Sequence, residues 1–137
     1  MDTIVVGYDE TAAAKRALER AIQIAKAFSA KLVVTSVAPV MEGAGRSMGP
    51  IDPVDPPERH HAELHEAATA IQAAGLAAEL VPALGHPTDA IVRVANDHHA
   101  DLIVVGTRGP GFVDRLLRQS TSQNVARHAH CDVLIVH

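Results

Sequence analysis

Aromatic side chains are almost missing from this sequence, with one Tyr, two Phe and no Trp in 137 residues. Because 47% of the chain is nonetheless hydrophobic, the core has to be assembled from Val, Ile, Leu and Ala. Cysteine is nearly absent as well. Cys131 stands alone, so no internal disulfide can form, and a reducing, cytoplasmic setting is the natural expectation. No apolar run approaches the ~18–20 residues of a membrane span. Met1-Asp2-Thr3-Ile4 leads directly into a strand pattern, with no secretory signal visible. Positive charge is not in excess either: 12 Lys+Arg against 16 Asp+Glu leave a net charge of −4. That balance argues against nucleic acid or an anionic membrane as the main partner.

What is present is an alternation of short apolar runs with helical stripes. Thr3 to Val6 reads as a strand ending at Gly7-Tyr8-Asp9. Ala17, Leu18, Ala21, Ile24, Ala25 and Phe28 then recur at steps of three and four, the stripe of an amphipathic helix. Leu32 to Val37 is a second strand. A second stripe carries Leu64, Ala68, Ile71 and Ala74, with Gly75 as its C-terminal stop. Ala77 to Val81 is a weaker strand, followed by Gly85-His86-Pro87-Thr88 and the stripe of Ile91, Val94 and Ala95. Leu102 to Val105, a short helix from Ser120 to Ala129, and Val133 to Val136 close the chain.

The first, fourth and fifth strands are apolar throughout, as a sheet covered on both faces requires. Strands separated by helices predict one α/β domain over 1–137 with a doubly wound, five-stranded parallel sheet. Ligands of such sheets bind beyond the carboxyl ends of the strands, where the winding changes direction. The stretch 38–57 interrupts the pattern with Pro39, Pro50, Pro53, Pro56 and Pro57 and three glycines. A connection of that length in a compact domain is a lid, a binding loop or a disordered segment.

The most informative stretch runs from Leu102 to Ser122. An apolar strand enters Gly106-Thr107-Arg108-Gly109-Pro110-Gly111, and Gln119-Ser120-Thr121-Ser122 opens a helical segment further on. Glycines let a backbone approach a ligand closely, and unpaired N–H groups at a helix start attract anions. These are the parts of a phosphate cradle, or equally of a tight turn that only connects two elements.

Taken with Ile4-Val-Val-Gly-Tyr-Asp9, Gly85-His-Pro87 and Cys131-Asp-Val-Leu-Ile-Val136, this stretch resembles the universal stress protein family, in its nucleotide-binding branch. The resemblance implies strand order 3-2-1-4-5, in the manner of the adenine nucleotide alpha hydrolases. It implies an adenine nucleotide as ligand, ATP or else ADP or AMP, with or without magnesium, and a regulatory role with at most slow ATP hydrolysis as a side activity. By the same resemblance Asp9 contacts the nucleoside, and the backbone of Val37 meets the adenine. Gly106, Arg108 and Gly109 form the phosphate-side loop, while Ser120, Thr121 and Ser122 reach the phosphates. The branch has a glycine, two residues, a glycine, nine residues, then glycine and Ser or Thr. Gly106, Gly109 and Ser120 keep this spacing, but Gln119 replaces the last glycine. If that position needs positive φ, a side chain there costs roughly 1 kcal/mol. Glu10 also stands where the family often has glycine. A member that has lost the ligand and acts as a homodimeric interaction protein is therefore the alternative reading. In either case the resemblance and the uncovered apolar strand at Val133–Val136 imply a homodimer joined through that strand.

Other constellations carry less. His61 and His65 are one helical turn apart, beside Glu58 and His60, but no third metal ligand is clear. No nucleophile–base pair can be read from spacing. Asp9 has a competing reading as a turn residue at the start of the first helix, and Cys131 reads as a core thiol.

Overall fold

A computed structural model describes residues 1–9, 11–38, 57–107 and 121–137. The elements in chain order are β1 (Thr3–Gly7), α1 (Ala12–Phe28), β2 (Lys31–Ala38), α2 (Pro57–Ala73), β3 (Ala78–Leu84), α3 (Pro87–Asp97), β4 (Leu102–Gly106), α4 (Thr121–His128) and β5 (Asp132–Val136). All strand pairs are parallel, and the sheet order is β3-β2-β1-β4-β5, as the resemblance implies.

The strands alternate between two cores, which explains why they carry no polar face. Ile4, Val6, Leu32, Val34, Leu102 and Val104 pack against α1 and α2. Val5, Val33, Ile103 and Val105 pack against α3 and α4. The face of α1 turned to the sheet is nearly all Ala: Ala14, Ala17, Ala21 and Ala25 are buried with Leu18. Small side chains bring that helix close, and Gly106 takes the approach furthest. A Cβ on Gly106 would lie 2.5 Å from the carbonyl carbon of Ala13 and 2.6 Å from its oxygen. The glycine at the end of β4 is therefore required by the first turn of α1.

Element boundaries shift at one place by more than two residues. The expected strand from Ala77 to Val81 continues through Pro82 to Leu84. Pro82 has no N–H to donate, but β3 is an edge strand whose outer side needs no ladder bond. β5, at the opposite edge, is only half-buried from Val133 to Ile135. Residues 39–56, within the expected loop, lie outside the described residues.

The amino-terminal ends of the strands are stapled by charge. The Asp101 carboxylate accepts the backbone N–H of Asp2 at 2.7 Å and of Thr3 at 3.1 Å. Those bonds hold its carboxyl below the usual range, helped by the chain's N-terminal amine. At the same end Glu79 of β3 joins Lys31 of β2 at 2.9 Å and His98, after α3, at 2.9 Å. The carboxyl termini of the strands lie at the opposite end.

Candidate functional site

β1 and β4 are neighbours, with register Ile4↔Leu102 to Val6↔Val104. The winding turns at this pair, because β2 continues to one side and β5 to the other. A crevice of about 540 Å³, counted to its open mouth, sits over the strand ends here.

Three walls define it. Gly7, Tyr8 and Asp9 continue β1 into the crevice, and the Tyr8 N–H donates to the Thr35 carbonyl at 2.9 Å. Val37, Pro87, Ile91 and Val105 form an aliphatic wall. Thr11 and Ala14 of α1, Pro87 of α3 and Ser122 of α4 bring the first turns of three helices to the rim. Helix starts carry unpaired N–H groups and partial positive charge, so their convergence favours an anion. The described lining has Asp9 as its acidic side chain and neither Lys nor Arg.

Asp9 has a second task. Its Oδ1 accepts the Thr11 backbone N–H at 3.0 Å and the Thr11 hydroxyl at 2.6 Å. Thr11 is the N-cap of α1, and its Oγ1 in turn accepts the Ala14 N–H at 3.1 Å. Asp9 thus orients the cap while standing at the crevice, as its reading as a turn residue at the start of the first helix expects.

Of the candidate residues, Asp9, Val37, Gly106 and Ser122 come together from four separate parts of the chain. Ser122 is buried in the first turn of α4, and Thr121 begins that helix. Arg108, Gly109, Gln119 and Ser120 lie outside the described residues, as does Glu10. The sequence reading missed Thr11, Thr35, Pro87 and Ile91. Thr11 carried a usable signal, a hydroxyl residue immediately before a helical stripe. Thr35 was a polar residue inside an otherwise buried strand.

Behind Tyr8, on the α2 side of the sheet, lies a buried polar group. The Tyr8 hydroxyl donates to Glu66, and Ser36 Oγ donates to Glu63 Oε1 at 2.6 Å. Burial, then the bond to Glu66, raises the Tyr8 pKa and keeps the phenol protonated. Tyr8 therefore ties the crevice floor to α2.

Among the described residues no group of three His, Cys, Asp or Glu side chains is placed to hold a metal. His61 and His65 are exposed on α2. Cys131 is half-buried against the α3–α4 core, and burial raises its thiol pKa, with Asp132 and Asp101 adding to the effect.

The sequence profile described as the universal stress protein family matches residues 1–137. The chain belongs to the universal stress protein family. A universal stress protein of Mycobacterium tuberculosis is 35% identical over 146 residues, covering 98% of this chain and 95% of that protein. One from Thermus aquaticus is 38% identical over 141 residues, with 98% and 97% covered. A crystal structure of a universal stress protein in complex with cAMP is 35% identical, covers 99% of this chain and 97% of its own, and superposes with a TM-score of 0.75. A universal stress protein from Archaeoglobus fulgidus in complex with dAMP has a TM-score of 0.74 over 100% and 98% of the two chains. At 22% identity it shows the shared fold alone. No helix among the described residues of this family member is long and apolar enough to cross a membrane.

Proposed function

We propose that this universal stress protein binds an adenine nucleotide in the crevice over β1 and β4 and acts as a regulatory module. The observation that carries the reading is the convergence of Asp9, Val37, Gly106 and Ser122 on one cavity bordered by three helix starts. The aliphatic wall suits a flat base, the Asp9 carboxylate suits ribose hydroxyls, and the helix starts suit phosphate. A relative of 35% identity whose crystal structure is a complex with cAMP supports the same ligand class.

The reading gives Arg108 and Gly109 the phosphate-side loop and Gln119, Ser120 and Thr121 the approach to the phosphates. ATP, ADP, AMP and cAMP are all candidate ligands, with magnesium needed only by those carrying several phosphates. On this reading the protein works in the cytoplasm as a homodimer, with at most slow ATP hydrolysis. Isothermal titration with each of the four nucleotides, beside extraction of any nucleotide that co-purifies, tests the proposal. Saturable binding of at least one is the expected result. No heat with any of them, and no bound nucleotide released from the purified protein, would leave a homodimeric interaction protein as the function.

A further inference from the structure

Thr35 is completely buried, and its Oγ1 has no hydrogen-bond partner among the described residues. It lies on the same face of β2 as Val33 and Val37, toward α3 and α4, and it lines the crevice. Its register partner on β1 is Gly7, which has no side chain to fill the space beside it. A Cβ on Gly7 would come within 3.0 Å of Ile91 Cδ1 and 3.3 Å of Val105 Cγ1. Thr35 thus shares the crevice lining with the aliphatic side chains of Val37, Ile91 and Val105. A polar atom sealed in such a place forfeits its hydration and gains nothing in return. Valine has nearly the same shape and would remove that cost, as Val33 and Val34 do one turn of the pleat earlier.

We propose that Thr35 is a specificity-determining residue, its hydroxyl closed off in the unliganded crevice, uncovered on binding and completed by a polar atom of the base of the nucleotide. The inference rests on the nucleotide reading of the crevice. The base is the partner because the hydroxyl lies among the carbon side chains that would hold the flat part of the ligand. Asp9 and the helix starts serve the sugar and phosphate at the rim. A hydroxyl both donates and accepts, so a ring nitrogen or an exocyclic amine satisfies it.

The test is titration of AMP, ATP and cAMP into wild type, Thr35→Val and Thr35→Ser, with thermal unfolding of each unliganded protein. Thr88→Val is the control, because Thr88 Oγ1 is also buried and unpartnered but does not line the crevice. Thr35→Val is expected to unfold at the same temperature as wild type or higher, and to bind about tenfold more weakly. Thr35→Ser and Thr88→Val are expected to bind within threefold of wild type. If Thr35→Val does not fold, Thr35→Cys replaces it, since a thiol is a poor hydrogen-bonding group; the same tenfold loss relative to Thr35→Ser is expected. Wild-type affinity in Thr35→Val, or equal losses in Thr35→Val and Thr35→Ser, overturns the role of the hydroxyl while leaving nucleotide binding intact. A wild type that binds none of the three nucleotides overturns both.

Discussion

At the residue scale, two glycine positions of the same motif answer to different physical demands. Gly106 is hemmed in by backbone, and the carbonyl of Ala13 cannot swing aside as a flexible side chain could. Gly106→Ala is therefore expected to destabilise the unliganded protein by ~2 kcal/mol, the usual scale of overpacking. A lower urea midpoint with an unchanged slope would register this. A variant as stable as wild type would show that α1 moves off the sheet without cost. Gln119 stands where the family motif has its last glycine, and its test is affinity rather than stability. If position 119 needs positive φ, Gln119→Gly is expected to tighten ATP binding about fivefold, or ~1 kcal/mol. Unchanged affinity in titration calorimetry would mean that position 119 stays clear of the phosphates.

At the scale of elements, the tie between α3, β2 and β3 makes stability depend on pH. His98 Nδ1 lies 2.9 Å from the Val94 carbonyl and Nε2 lies 2.9 Å from Glu79 Oε2. Both neighbours are acceptors, so the doubly protonated ring satisfies both. The bond to Glu79, then that to Val94, raises the His98 pKa above its ordinary 6.5. The bond from His98, then that from Lys31, lowers the Glu79 pKa below its ordinary 4.5. A raised histidine contributes fully below pH 6.5 and loses its contribution as pH rises through the folded value. A lowered carboxylate contributes above pH 4.5 and loses its contribution as pH falls through its folded value. The tie is consequently strongest between about pH 4.5 and 6.5, and its exposure keeps it modest. His98→Gln should abolish the part of the melting-temperature decline between pH 6 and 8 that this residue causes. Parallel wild-type and variant profiles over that range would remove His98 from the account.

The whole molecule has two sheet edges with different characters. β3 contains Pro82, which discourages pairing on its outer side. β5 carries Val133, Leu134 and Ile135 half-buried at the other edge, with no strand paired on its outer side among the described residues. An antiparallel pair of β5 strands about a two-fold axis closes such an assembly. Light scattering is expected to give twice the 14.4 kDa chain mass for wild type. Ile135→Pro, which removes a ladder donor, should shift the mass toward one chain. A wild-type monomer at micromolar concentration would rule the dimer out, and a folded Ile135→Pro dimer would place the interface elsewhere.

The sequence by itself determined the alternation of strands and helices, the parallel sheet, and the end of the sheet where a ligand belongs. These follow from periodicity and from strands apolar on both faces, which are properties of a few adjacent residues. The resemblance to the family likewise marked Asp9, Val37, Gly106 and Ser122 before any contact between them was visible. Only the tertiary structure decided what each of them does beside its neighbours. Asp9 braces the Thr11 cap, Gly106 makes room for Ala13, and Thr35 is buried beside Gly7 with its hydroxyl unpartnered among the described residues. Pro82 could be read as the end of β3 until that strand was found at an edge. Such facts join residues that lie tens of positions apart, and no local pattern encodes the distance between them. They arise when the sheet order brings β1, β2 and β4 side by side and the helices close over their ends.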